Sequence, residues 1–211
     1  MLILPSLYLS PIQYFAHLYA DPMAIEDRGE HFVKQTYRNR CYIATPQGPQ
    51  ALTIPVVREG NGAHTPMRDV RISSHGNWRH LHWNALVSAY ENSPYFEYYA
   101  DDFHPFYERS YEFLVDFNAE LQILVLDLLQ LTPQISTSPD YVRALDLPKA
   151  TDLRTLISPK RQLNDDTSFH AQTYYQVFQQ RTGFLPNLSI VDLLFNLGPE
   201  SRLILKQRLY D

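Results

Sequence analysis

The hydrophobic period of this chain changes at Gly76. Ahead of that residue, apolar positions recur every second residue in short runs broken by proline and glycine, the pattern of half-buried strands. Behind it the period becomes 3.6. In "NWRHLHWNALVSAYENS", Trp78, Leu81, His82, Ala85, Leu86, Ala89 and Tyr90 form one helical stripe, with Asn77 as its cap and Pro94 as its stop. Strands early and helices late restrict the fold to the α/β class.

The amino terminus reads as a short strand, a Pro-bounded loop, a helix over "PIQYFAHLYA" and a second strand, "MAIED", which together make a β-α-β beginning. Strand character resumes at Val33, and "RCYIATPQGPQALTIPVV" reads as a β-hairpin turning at Gly48. A Gly-Asn-Gly loop at 60–62 precedes another alternating run, "MRDVRIS". Beyond α-helical Trp78 to Tyr90, a short helix is expected from Asp101 or Asp102 and a long one from Arg109 to Leu131, with Leu114, Phe117, Leu121, Leu124 and Leu128 buried. "QIST" returns as a strand. Residues 139–166 show little periodicity and read as a connection, and two or three helices close the chain. In "NLSIVDLLFNLGPES", Ser189 caps a helix with Asp192 at its third position, and Gly198 and Pro199 stop it. The expected architecture is a mixed sheet with a β-α-β start and a β-hairpin, flanked by helices, with a helical C-terminal part, forming a single domain over 1–211.

With 211 residues, 45% of them hydrophobic, the chain is long enough to bury a sizeable core. A formal net charge of -5 argues against a phosphate-backbone binder, so nucleic acid is not expected as a partner. Cys41 is alone, which excludes an intrachain disulfide and suits a reducing compartment. The apolar start "MLILPSLYLSPIQYF" lacks a positive n-region and contains Pro5 and Pro11, and "LQILVLDLL" is interrupted by Asp127. Neither reads as a signal peptide or a membrane span, and the expected location is cytoplasmic.

Candidate sites begin with "VKQTYRNRC". As a strand it would place Val33, Gln35, Tyr37, Asn39, Cys41 and Ile43 on one, inward face and Lys34, Thr36, Arg38, Arg40 and Tyr42 on the other. Three cations on one face could hold a phosphate or carboxylate; an outward, edge-protecting face is the alternative. His82 lies on the apolar stripe of its helix, as a general acid or base or as a core histidine bonded to one carbonyl. His80 and His82 point about 200° apart on a helix, so no metal site is expected. The run "YENSPYFEYYADDFHPFY" holds eight aromatics interleaved with acids, which suits core packing or stacking on a sugar. Walker, dinucleotide, G-x-S-x-G and HExxH motifs are missing, and no cofactor is implied.

Taken together, "IQYFAHL", "KQTYRNRC", "LTIPV", "NWRHLHWNALVSAYENSPYFEYY" and "LSIVDLLFNLGPES" resemble the WbqC-like protein family in its Bacteroidetes-type members. The resemblance implies a site drawn from Lys34, Tyr37, Asn39, Arg40, Trp78, His82 and Tyr90, and a role in making O-antigen and related surface polysaccharides, with glycyl or aminoacyl transfer to a sugar suggested. On this view Lys34 and Arg40 hold an activated donor, Tyr37 and Asn39 orient the acceptor, Trp78 and Tyr90 contact the ligand and His82 is the base. A non-catalytic protein binding a small anionic metabolite or a protein partner is the other reading. The chain departs from many family members at Leu4-Pro5, where Gln-Pro is usual, and at Gln13, where a glycine precedes the Tyr-Phe pair. The order strand, Pro-containing loop, helix, strand and cations also matches nucleotidyltransferase-like folds, an analogy that would put an anion near the first loop.

Overall fold

Alternation and proline spacing in the first 27 residues produce β1 (Leu2–Leu4), α1 (Ile12–Ala20) and β2 (Met23–Asp27) in the computed structural model, which describes residues 1–57 and 64–206. The antiparallel hairpin follows as β3 (Arg40–Thr45) and β4 (Gly48–Thr53), with Gly48 at φ 111, a left-handed conformation that glycine adopts at little cost. The helical portion comprises α2 (Trp78–Tyr90), α3 (Phe96–Glu108) and α4 (Leu114–Leu128). Then come β5 (Gln134–Ser138), β6 (Thr151–Asp152) and three closing helices, α5 (Gln179–Thr182), α6 (Ile190–Leu197) and α7 (Ser201–Lys206). The expected 60–62 loop lies outside the described residues.

Four strands form a parallel sheet in the order β5-β2-β1-β6, and the hairpin is a separate two-stranded sheet. Leu2, Ile3 and Leu4 of β1 are fully enclosed, as a central parallel strand covered on both faces requires. The chain crosses from β1 through α1 to β2 and later to β5 on one side, whereas β6 joins β1 on the other. The strand order therefore reverses between β1 and β6, and the carboxyl ends at such a reversal are where open α/β sheets place ligands.

Several sequence expectations are corrected here. Val33 to Asn39 is not a strand: it is a run of turns and bends with Gln35 at φ 58, and pairing starts only at Arg40. The supposed inward and outward faces therefore do not exist. "MRDVRIS" is a 3-10 turn at Met67–Asp69 followed by isolated bridges from Arg71 and Ile72. α3 begins at Phe96, ahead of the two aspartates, and α4 is shorter at both ends than the stripe suggests. Leu81 of α2 is 63% exposed, although it lies on the apolar stripe. Ser189 does cap α6, accepting from Val191 N, but Asp192 makes no capping box. Its buried carboxyl instead receives Tyr90, Tyr174 and Gln176, three donors that hold it in the core. Among the described residues no helix is long and apolar enough to cross a membrane.

Candidate active-site cleft at the sheet reversal

The loops leaving the strand ends are tied to one another by hydrogen bonds. The backbone of Tyr8, after β1, donates to Tyr37 O at 2.9 Å, and Arg38 donates to Arg154 O, after β6, at 3.2 Å. Lys160 Nζ reaches Lys34 O at 3.2 Å. Residues 187–190, a turn and an isolated bridge that lead into α6, bond to both the start of α1 and the hairpin, with Ile12 N donating to Leu188 O, Ser189 N to Tyr42 O and Ile190 N to Ser10 O. Beside these ties opens a cleft of about 270 Å³, lined from the first turn of α1, the turns at 33–39, the hairpin, residues 156–163 and residues 186–188. Its apolar wall includes Leu156, Pro159, Leu163 and Pro186, and its polar wall Gln13, Tyr37, Tyr42, Arg161 and Asn187.

A chain of hydrogen bonds fixes the polar wall. Asp166 is buried, and although burial opposes ionisation, hydrogen bonds from Gln13, Ser168 and His17 outweigh it and hold the carboxyl below its usual range. An ionised carboxylate only accepts, so Gln13 Nε2 and His17 Nε2, each 2.7 Å from Oδ2, are donors. The backbone N–H of Gln13 donates to Asn187 Oδ1 at 2.9 Å, which leaves Asn187 Nδ2 facing Gln13 Oε1 at 3.2 Å. Asn187 sits at φ 54, a conformation asparagine tolerates better than most residues. Because Ile12 N and Gln13 N already have acceptors, the first turn of α1 has those two donors engaged, and no anion is needed there.

Of the residues expected to form the site, Tyr37 lines the cleft. Its side chain is only 8% exposed, and burial, with Tyr42 and Cys41 nearby, pushes its hydroxyl up to about 12. Among the described residues that hydroxyl has no hydrogen-bond partner. Arg40 stands beside the cleft, its Nη1 3.4 Å from the Tyr42 hydroxyl and its Nε 2.9 Å from Thr53 Oγ1. Lys34 is exposed and reaches this region through its backbone. Arg38, the third cation, is buried and clasps Glu30 through Nε and Nη2 at 2.9 and 2.5 Å.

The other expected residues are buried in the core and do not line the cleft. His82 is 5% exposed; its Nδ1 meets the Tyr8 hydroxyl at 3.0 Å and its ring packs on Trp78 and Tyr8. Burial lowers its pKa to about 4 despite a bond to the Thr53 backbone, so at neutral pH it is an uncharged core histidine. Trp78 is buried, with its indole nitrogen lacking a partner among the described residues. Asn39 donates to Ile54 O at 2.8 Å, and the Tyr90 hydroxyl bridges Ala44 N and Asp192. His82 and Arg40 both meet Thr53, the ring at its backbone and the guanidinium at Oγ1, but the ring is buried and does not line the cleft. Gln13 is marked in the sequence only as a departure from the family pattern, while Arg161 and Asn187 lie in aperiodic stretches; the one available signal was a cation or amide within two residues after proline in "SPKRQ" and "LPN". Among the described residues no cluster of three His, Cys, Asp or Glu could hold a metal ion.

Comparison with known proteins adds kinship to this geometry. A model of the family described as the WbqC-like protein family matches residues 6–204. The chain is 29% identical over 192 residues to "Uncharacterized protein Rv1507c" of Mycobacterium tuberculosis, with 81% of each chain covered. No solved structure matches it.

Proposed function

The chain belongs to the WbqC-like protein family, and on that premise we propose that it is a cytosolic enzyme of surface-polysaccharide synthesis that transfers a glycyl or aminoacyl group to a sugar held in the cleft between the ends of β1 and β6. The observation that carries this reading is Tyr37: a buried side chain whose hydroxyl has no protein partner among the described residues, at the wall of a cleft where the strand order reverses. Arg40 and Lys34, on the adjoining segment, with Lys160 and Arg161 across from them, would draw an anionic donor toward it. Asn39, Trp78, His82 and Tyr90 support the reading only as the packing behind the cleft. The base is therefore not His82 in this proposal.

The burial of His82 outside the cleft lining favours a second reading, a non-catalytic protein that binds a small anionic metabolite. Turnover decides between the two. Purified protein incubated with aminoacyl donors and nucleotide sugars is expected to give a sugar heavier by the aminoacyl residue in mass spectra. Unaltered masses for every donor and acceptor pair, with ligand still bound, would leave the binder.

A further inference from the structure

The cleft is at the small end of ligand sites, large enough for a single ring. Its hydrogen-bonding character is lopsided. A primary amide has two N–H donors, and the chain from Asp166 to Asn187 uses one of the two on Gln13 and one of the two on Asn187. One N–H of each therefore remains, on side chains that both line the cleft. Neither amide can turn over to present its oxygen instead: rotation of Gln13 would set Oε1 against the Asp166 carboxylate, and rotation of Asn187 would remove the acceptor of Gln13 N. Arg161 adds guanidinium donors, since its ion pair with Asp165 is loose at 3.8 Å and the side chain is 56% exposed. Tyr37 adds a hydroxyl held in its protonated form.

We propose that this locked donor wall receives an oxyanion carried on a small ring, a carboxylate or phosphate monoester on a sugar, with the oxygens on Gln13 Nε2, Asn187 Nδ2 and Arg161 and the ring beside Tyr37 and Tyr42. The inference names the ligand class of the cleft proposed above and rests on that cleft being the site. It does not need aminoacyl transfer to occur. Asp166 acts as a positioning residue, because it accepts from the Gln13 amide, and His17 acts through Asp166; neither lines the cleft.

Titration calorimetry on the full chain with glucuronate, glucose 1-phosphate and glucose tests it. Binding of one or both acidic probes, with glucose at least roughly tenfold weaker, is the expected result, the loss of a hydrogen bond to a charged group being that large. The stronger acidic probe tells a carboxylate site from a phosphate site. Asn187→Asp keeps the acceptor for Gln13 N while replacing the donor by a negative oxygen, and should weaken the acidic probe by at least roughly tenfold. Arg161→Gln, on an exposed side chain, should weaken it while leaving the melting temperature unchanged, which covers the case that Asn187→Asp fails to fold. Equal affinity for glucose and the acids, or no binding of any probe, overturns the proposal. A protein that binds glucuronate but alters no mass in the turnover assay keeps the donor wall and loses the transfer reaction; one that modifies neutral sugars alone keeps the reaction and loses the donor wall.

Discussion

A histidine on the apolar stripe of a helix has two futures, and for His82 the surroundings decide. With Tyr8 on one ring nitrogen, Trp78 on its edge and burial on every side, the imidazole is held neutral down to about pH 4. In the unfolded chain it takes up a proton near 6.5. Its folded pKa is depressed, so its contribution to stability is complete above pH 6.5 and is lost as pH falls through 4. Between pH 7.5 and 4.5 this amounts to about 2 to 3 kcal/mol. Urea unfolding of wild type and His82→Gln at both values is the check: acidification should cost the wild type more by that amount. An equal loss in both would mean that the ring is hydrated and titrates normally, and His82 would return as a candidate base. Glu30 behaves in the opposite sense. Burial outweighs the bidentate Arg38 and raises its pKa to about 7, so its contribution declines as pH rises from about 4.5 toward 7.

Elements whose backbone period does the work were legible: β2 at "MAIED", the hairpin from Arg40, and α2 with its buried Trp78, His82, Leu86, Ala89 and Tyr90. What escaped was set by contacts distant in sequence. β6 is two residues long, too short to carry any period, and exists because Thr151 and Asp152 pair with Leu2 and Ile3. The turns at 33–39 look like a strand by composition, yet a buried ion pair overrides the alternation by pulling Arg38 inward to Glu30. That pair pins the loop after β2 against the loop after β6 through Arg154 O. Removing one partner leaves the other charge buried, so Arg38→Met should cost about 3 to 5 kcal/mol in denaturant unfolding. Adding Glu30→Leu to it should recover most of the loss, because the pair as a whole gains little beyond what packed apolar groups supply. A double variant no better than the single one would show that the Arg154 carbonyl and Thr36, not Glu30, are what the guanidinium chiefly serves.

At the scale of the molecule, the proposed site depends on topology more than on any motif. Gln13, Tyr37, Arg161 and Asn187 are separated by most of the chain's length, and they meet because the start of α1, the loop after β2 and the loop after β6 converge, with the hairpin and the stretch before α6 closing the remaining sides. A chain of net charge -5 thus still places Arg161 in the cleft lining, with Arg40 bonded to the lining Tyr42 and Lys160 bonded to the Lys34 backbone. It also makes a spatial prediction independent of any side-chain substitution. Adding glucuronate or glucose 1-phosphate at saturating concentration should slow amide hydrogen exchange in residues 156–163, 186–189 and 35–42 together, although they are far apart in sequence. Exchange in α3, whose exposed Tyr98 belongs to an acidic and aromatic surface, should not change. Because a ligand can protect only the segments it contacts or couples, slowing confined to α3 would move the binding site to that surface, where aromatic rings rather than amide donors would have to grip the sugar.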